Sequence, residues 1–137
     1  MNPYRQRVWS MLKPILEELG HLDKVLDFGS GDGWFASQVL AEQRARDLVP
    51  LDVKKRERVF VEPLVCAPGA PLPFPDNTFD LAYSVDVLHH CSDPFMQLDK
   101  LTRVSRRYLL IKDHNYSGTV GRLALAVLDE LGNRKFG

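Results

Sequence analysis

Between Tyr4 and Leu19 the apolar residues Val8, Met11, Leu12, Ile15, Leu16 and Leu19 recur at i, i+3, i+4 and i+7, which gives a helix one apolar face. Gly20 supplies a stop beyond it, and Pro14 is placed to kink its interior. The pattern then changes. "KVLDF" is an apolar run of strand length, followed by a glycine-rich loop and by a stretch from Trp34 to about Gln43 that predicts a second helix. Leu48 to Val53 predicts a second strand, with Pro50 near its start where a missing donor does least harm. The charged "KKRER" reads as a loop leading to a third strand that ends near Cys66, and "FDLAYSV" (Phe79 to Val85) predicts a fourth.

Asp93 followed by Pro94 forms an N-cap and first-position pair, opening a helix with Phe95, Leu98, Leu101 and Val104 on one side. "YLLIK" (Tyr108 to Lys112) predicts a fifth strand. Leu123, Ala124, Val127, Leu128 and Leu131 predict the inward face of a last helix over 118–132, stopped by Gly132. Short apolar strands alternating with amphipathic helices imply a parallel sheet covered on both faces. The expectation is a single domain over 1–137: an N-terminal helix over 1–20, a core over 24–112, and the last helix.

Composition narrows the function. A chain of 137 residues is enough for one core. Lys plus Arg and Asp plus Glu both number 18, so no overall field draws the chain to nucleic acid or to an acidic membrane surface. Cys66 and Cys91 make no CxxC or metal-like spacing and read as buried small hydrophobes of a reducing compartment. The N-terminus has no signal-peptide core, and no run approaches the ~20 apolar residues of a membrane helix. A soluble cytoplasmic domain is expected.

The candidate chemistry lies in "VLDFGSGDGWFA", Val25 to Ala36. A dinucleotide fingerprint needs G-x-G-x-x-G; Gly29 and Gly31 fit the first two positions, but Trp34 stands at the third. Asp27 and Asp32 would also face a pyrophosphate at a distance where repulsion matters. Glycines alone would suit any tight strand-to-helix turn. With the acids, and with Asp52 ending the second strand, the loop favours a positively charged ligand that lacks phosphate.

This segment resembles the first motif of class I S-adenosylmethionine-dependent methyltransferases, an acid followed by G-x-G-x-G: here Asp27, Gly29, Gly31 and Gly33. "APGAPLPFPDNTFDLAYSVDVLHHCSDP", Ala67 to Pro94, looks like the family's D-G-x-x-L-P-F-x-D-x-x-F-D block with its L-H-H-x-x-D-P continuation. "YLLIKDH" and "LDELGN" are similar to small-molecule members of the type 11 kind. The resemblance implies an α/β, Rossmann-like three-layer sandwich with a mostly parallel central sheet, C-terminally truncated. It implies S-adenosylmethionine as cofactor, held by Asp27, Gly29, Ser30, Gly31, Gly33, Asp52, Gly69, Ala70 and Val85, with Asp52 on the ribose hydroxyls. It implies methyl transfer to a small-molecule acceptor, with His90, just past the fourth strand, as general base.

Neither nucleic acid nor membrane is an expected partner. No metal is expected either, because His89, His90 and Cys91 are adjacent and rarely converge on one ion. Two departures stand out. Pro68 replaces the acid that relatives carry before Gly69, commonly bonded to the adenine amino group. Two further strands follow the last helix in the family, so Tyr108 to Lys112 should be an open edge that recruits a second copy. Both departures suit an alternative reading, a non-catalytic methyltransferase-like module that binds a partner protein, or cofactor without turnover.

Overall fold

Asn2 opens the first helix, α1 (Pro3–Leu19), by accepting from the backbone N–H groups of Tyr4 and Arg5, with Pro3 at a position whose N–H would have no partner anyway. Gly20 closes it in the left-handed region, φ 79°. The helix runs through Pro14 and buries Val8, Leu12 and Leu16. The computed structural model describes residues 2–114 and 123–128, with side chains over 2–113. After α1 come β1 (Leu22–Phe28), α2 (Trp34–Ala41), β2 (Ala45–Asp52), β3 (Leu64–Val65), β4 (Phe79–Val85), a 3-10 turn at Leu88–His90, α3 (Pro94–Val104), β5 (Ser105–His114) and β6 (Leu123–Leu128). Asp93 caps α3 as its sequence announces, accepting from the Met96 N–H at 3.1 Å.

The sheet order is β3-β2-β1-β4-β5-β6. Every pairing is parallel except β5 with β6. Period-two alternation divides the strands between two cores. Val25, Leu81, Tyr83 and Leu110 point to the face covered by α1 and α2; Leu26, Ala82, Leu109 and Ile111 point to the face covered by α3. The expected three-layer α/β class is therefore the one found. Among the described residues no helix is long and apolar enough to cross a membrane.

Two expectations change. β2 begins at Ala45, so Pro50 lies in its second half. Leu51 turns its carbonyl to the β1 side and Asp52 to the β3 side, so Pro50 also faces β3. There β3 pairs with Leu51 and Asp52 alone, and no partner at Pro50 loses a donor.

The larger correction is at the far edge. Leu123–Leu128, expected inside a helix, is a strand antiparallel to β5, with Leu128 opposite Leu109 and Leu123 opposite His114. "LALAVL" is apolar at every position, a pattern a buried strand and a buried helix share, so periodicity cannot separate them. Pairing decides, because β6 gives the polar backbone of β5 its partners. Tyr108 to Lys112 is thus not an open edge, and the expected self-association through it loses its basis. The rest of the expected helix, at 118–122 and 129–132, lies outside the described residues.

Candidate functional site

The chain leaves β1 toward β2 and leaves β4 toward β5, so the loops beyond these adjacent strands diverge and open a crevice. A cleft of about 810 Å³ occupies it. The Gly29 and Ser30 N–H groups both donate to the Leu51 carbonyl, at 2.8 and 3.0 Å, and draw the chain across the end of β2. Gly29 sits at φ 76°, and a Cβ there would lie 2.3 Å from Val87 Cγ2. Only glycine fits.

Three carboxylates surround the loop in different states. Asp52 Oδ2 accepts from the Gly31 N–H and Oδ1 from the Val53 N–H, each at 2.7 Å. Asp32 Oδ2 takes the Arg5 guanidinium at 2.5 Å, while Oδ1 accepts from the Trp34 N–H, so α1 neutralises this acid. Asp27 is 3% exposed and accepts from the Tyr83 hydroxyl at 2.9 Å. Burial pushes its carboxyl up to about 7; the Tyr83 hydrogen bond opposes that rise and the charge of Asp52 adds to it. Ser30 Oγ is buried beside them with no partner among the described residues.

On the β4 side, Asp86 adopts φ 57° and takes a hydrogen bond from Lys112 Nζ at 2.7 Å and another from the Tyr4 hydroxyl at 2.5 Å. Lys112 also donates to the Tyr4 hydroxyl at 2.6 Å. Burial alone would lower the Lys112 ammonium, but its bonds to Asp86 and Tyr4 outweigh that and hold it above its ordinary value. The start of α1 is thereby fastened over the cleft. Past Asp86, the 3-10 turn carries His90 at the rim, its ring centroid 3.8 Å from that of His89. A carboxylate can only accept, so His89 donates from Nδ1 to Asp113 Oδ1, at 2.5 Å. The far wall is a turn from Ala67 to Ala70, closed by the Ala70 N–H on the Ala67 carbonyl at 3.1 Å.

Of the residues expected to bind cofactor, Asp27, Gly29, Ser30, Gly31, Asp52, Gly69, Ala70 and Val85 all line this one cleft, as does His90. Gly33 does not. It is the N-cap of α2 at φ 79°, with the Val61 backbone so close that a Cβ would lie 3.0 Å from it. Cys66 and Cys91 are half-buried and both line the cleft, and Cys66 also packs against the α3-side core. Trp9 packs on the α1 core, and the His114 side chain lies outside the described residues.

Sequence reading missed Tyr4, Arg5, Asp86 and Lys112. Their pairings span three elements, and the only hint was the polar start of an otherwise amphipathic helix. Among the described residues no cluster of His, Cys, Asp or Glu could hold a metal ion.

Comparison with known proteins gives a consistent result. Residues 26–108 match the family described as methyltransferase domain. The chain is 36% identical over 88 residues to the malonyl-[acyl-carrier protein] O-methyltransferase of Erwinia billingiae, a match covering 60% of this chain and 34% of the relative. It is 28% identical over 109 residues to an uncharacterized methyltransferase of Schizosaccharomyces pombe, covering 67% of this chain and 39% of that protein. The chain thus spans well under half the length of these curated relatives. Its fold is similar to the crystal structure of an S-adenosylmethionine-dependent methyltransferase from Mesorhizobium loti, with a TM-score of 0.64 at 22% identity, over 90% of this chain and 64% of the other.

Proposed function

As the chain belongs to the methyltransferase domain family, we propose that it binds S-adenosylmethionine in the cleft between β1 and β4 and transfers a methyl group to a small-molecule acceptor. One observation carries this reading. A left-handed glycine loop opens the cleft between Asp27 and Asp52, both of which line it. Two carboxylates repel a pyrophosphate and attract a ligand carrying sulfonium and ammonium charge. Each Asp52 oxygen holds one backbone N–H and keeps further acceptor capacity, which suits the vicinal hydroxyls of a ribose.

Bound there, the cofactor supplies a methyl group on an activated thioether leaving group. The chain's own residues hold and orient the reactants, and His90 at the rim takes the acceptor's proton as neutral imidazole. The absence of net charge favours a small molecule over nucleic acid as acceptor. Titration calorimetry of the wild-type chain with S-adenosylmethionine tests the reading. Saturable one-to-one binding is expected, weakened by about 1.5–3 kcal/mol in Asp52→Ala, the scale of hydrogen bonds to a charged group. A folded chain that gives no binding heat would sink it.

Pro68 supports a second reading, binding without turnover, because the turn that borders the adenine region has no side chain able to bond it. Turnover separates the two. In an enzyme, His90→Ala loses about 10²-fold in rate with cofactor affinity intact; equal rates in variant and wild type would remove His90 from the chemistry.

A further inference from the structure

Gln97 lies on α3 with 9% of its surface exposed, and it lines the cleft. Its side-chain carboxamide has no hydrogen-bond partner among the described residues. Its amide atoms keep access to the cleft, so a molecule seated there can reach both a donor and an acceptor. Three residues further along the same helix, Lys100 donates from Nζ to the carbonyls of Gly69 and Ala70, at 2.9 and 3.0 Å. That clamp fixes the Ala67-to-Ala70 turn against the stripe of α3 that carries Gln97, since residues three apart share a helix face. The turn's own side chains are Ala67, Pro68 and Ala70, none of them polar. A base seated against it must find its side-chain partner elsewhere. Leu72 and Met96, which also line the cleft, give such a base apolar walls.

We propose that Gln97 reads the edge of the adenine ring, in place of the acid that Pro68 replaces, and that Lys100 positions the turn for it. A carboxamide presents an acceptor beside a donor. Adenine presents the complement, an amino donor beside a ring-nitrogen acceptor, so two parallel hydrogen bonds form at once. The proposal rests on the reading of the cleft as an adenosyl site and gives that site its specificity for the base.

The test uses the full chain and two ligands, S-adenosylhomocysteine and its analogue lacking the 6-amino group. Wild type should prefer the amino-bearing ligand by about tenfold, the scale of one hydrogen bond lost and its partner left unpaired. Gln97→Met should bind the two equally, with its melting curve unchanged. Gln97→Glu still accepts from the amino group but has no donor for the ring nitrogen, so it should keep the preference at lower affinity for both ligands. A preference that survives in Gln97→Met overturns the Gln97 assignment and leaves the adenosyl reading standing. Failure of the wild type to bind S-adenosylhomocysteine overturns both. Should Gln97→Met not fold, Gln97→Glu decides: wild-type affinity for both ligands would overturn the assignment.

Discussion

Asp27 sits at the bottom of the glycine loop with its carboxyl pushed by burial from an ordinary 3.8 to about 7. The sign of the consequence follows from linkage. The folded value lies above the unfolded one, so the folded chain holds this proton more tightly. The stability that neutral Asp27 contributes is fully present below the unfolded value and is lost as pH rises toward 7. A cationic ligand reverses the preference. It favours the ionised carboxylate, so binding expels the proton and tightens as pH climbs through 7. Asp27→Asn should therefore flatten the pH dependence of both melting temperature and cofactor affinity. Calorimetry at pH 6 and 8 checks this; a wild-type affinity equal at the two values would show that the site does not use the charge of Asp27. Tyr83, in register with Asp27 across β4, holds the carboxyl in place through either state.

At the scale of elements, the loop between β1 and α2 is the part where backbone geometry leaves no choice. Gly29→Ala must place a Cβ against Val87 at φ 76°, so either the loop or the turn after β4 has to shift. The left-handed conformation alone costs about 1–2 kcal/mol for a non-glycine residue. The expected result is a lower melting temperature together with loss of cofactor binding; a Gly29→Ala chain that binds like the wild type would contradict the loop geometry. This element was legible in the sequence, because acid, glycine spacing and flanking periodicities all lie within Val25 to Ala36. β6 was not. Its six apolar residues satisfy helix and strand patterns alike, and only the unmet hydrogen bonds of β5 choose between them. Nor could the sequence show Tyr4 meeting Asp86 and Lys112. The two strands are joined through the register that sets Val85 beside Lys112, and the tyrosine arrives from a helix far away in the chain.

Across the whole molecule, the reversal of strand order beside β1 turns a list of local motifs into a site. It gathers the ends of β1, β2 and β4, the turn after β3 and the start of α1 around one cleft. The sequence carried the pieces on the loops, and the topology supplied their meeting. Gly33 shows the limit of motif reading, since a residue of the glycine motif serves the helix start and not the cleft wall. The cleft between β1 and β4 is proposed as the seat of the adenosyl cofactor. Ultraviolet cross-linking of the wild-type chain with methyl-tritiated S-adenosylmethionine, followed by peptide mapping, tests it most directly. Label confined to peptides from the glycine loop, the Ala67-to-Ala70 turn and the segment after β4, and competed away by S-adenosylhomocysteine, is the predicted result. Label on surfaces remote from the cleft, or label that the competitor does not displace, would contradict it.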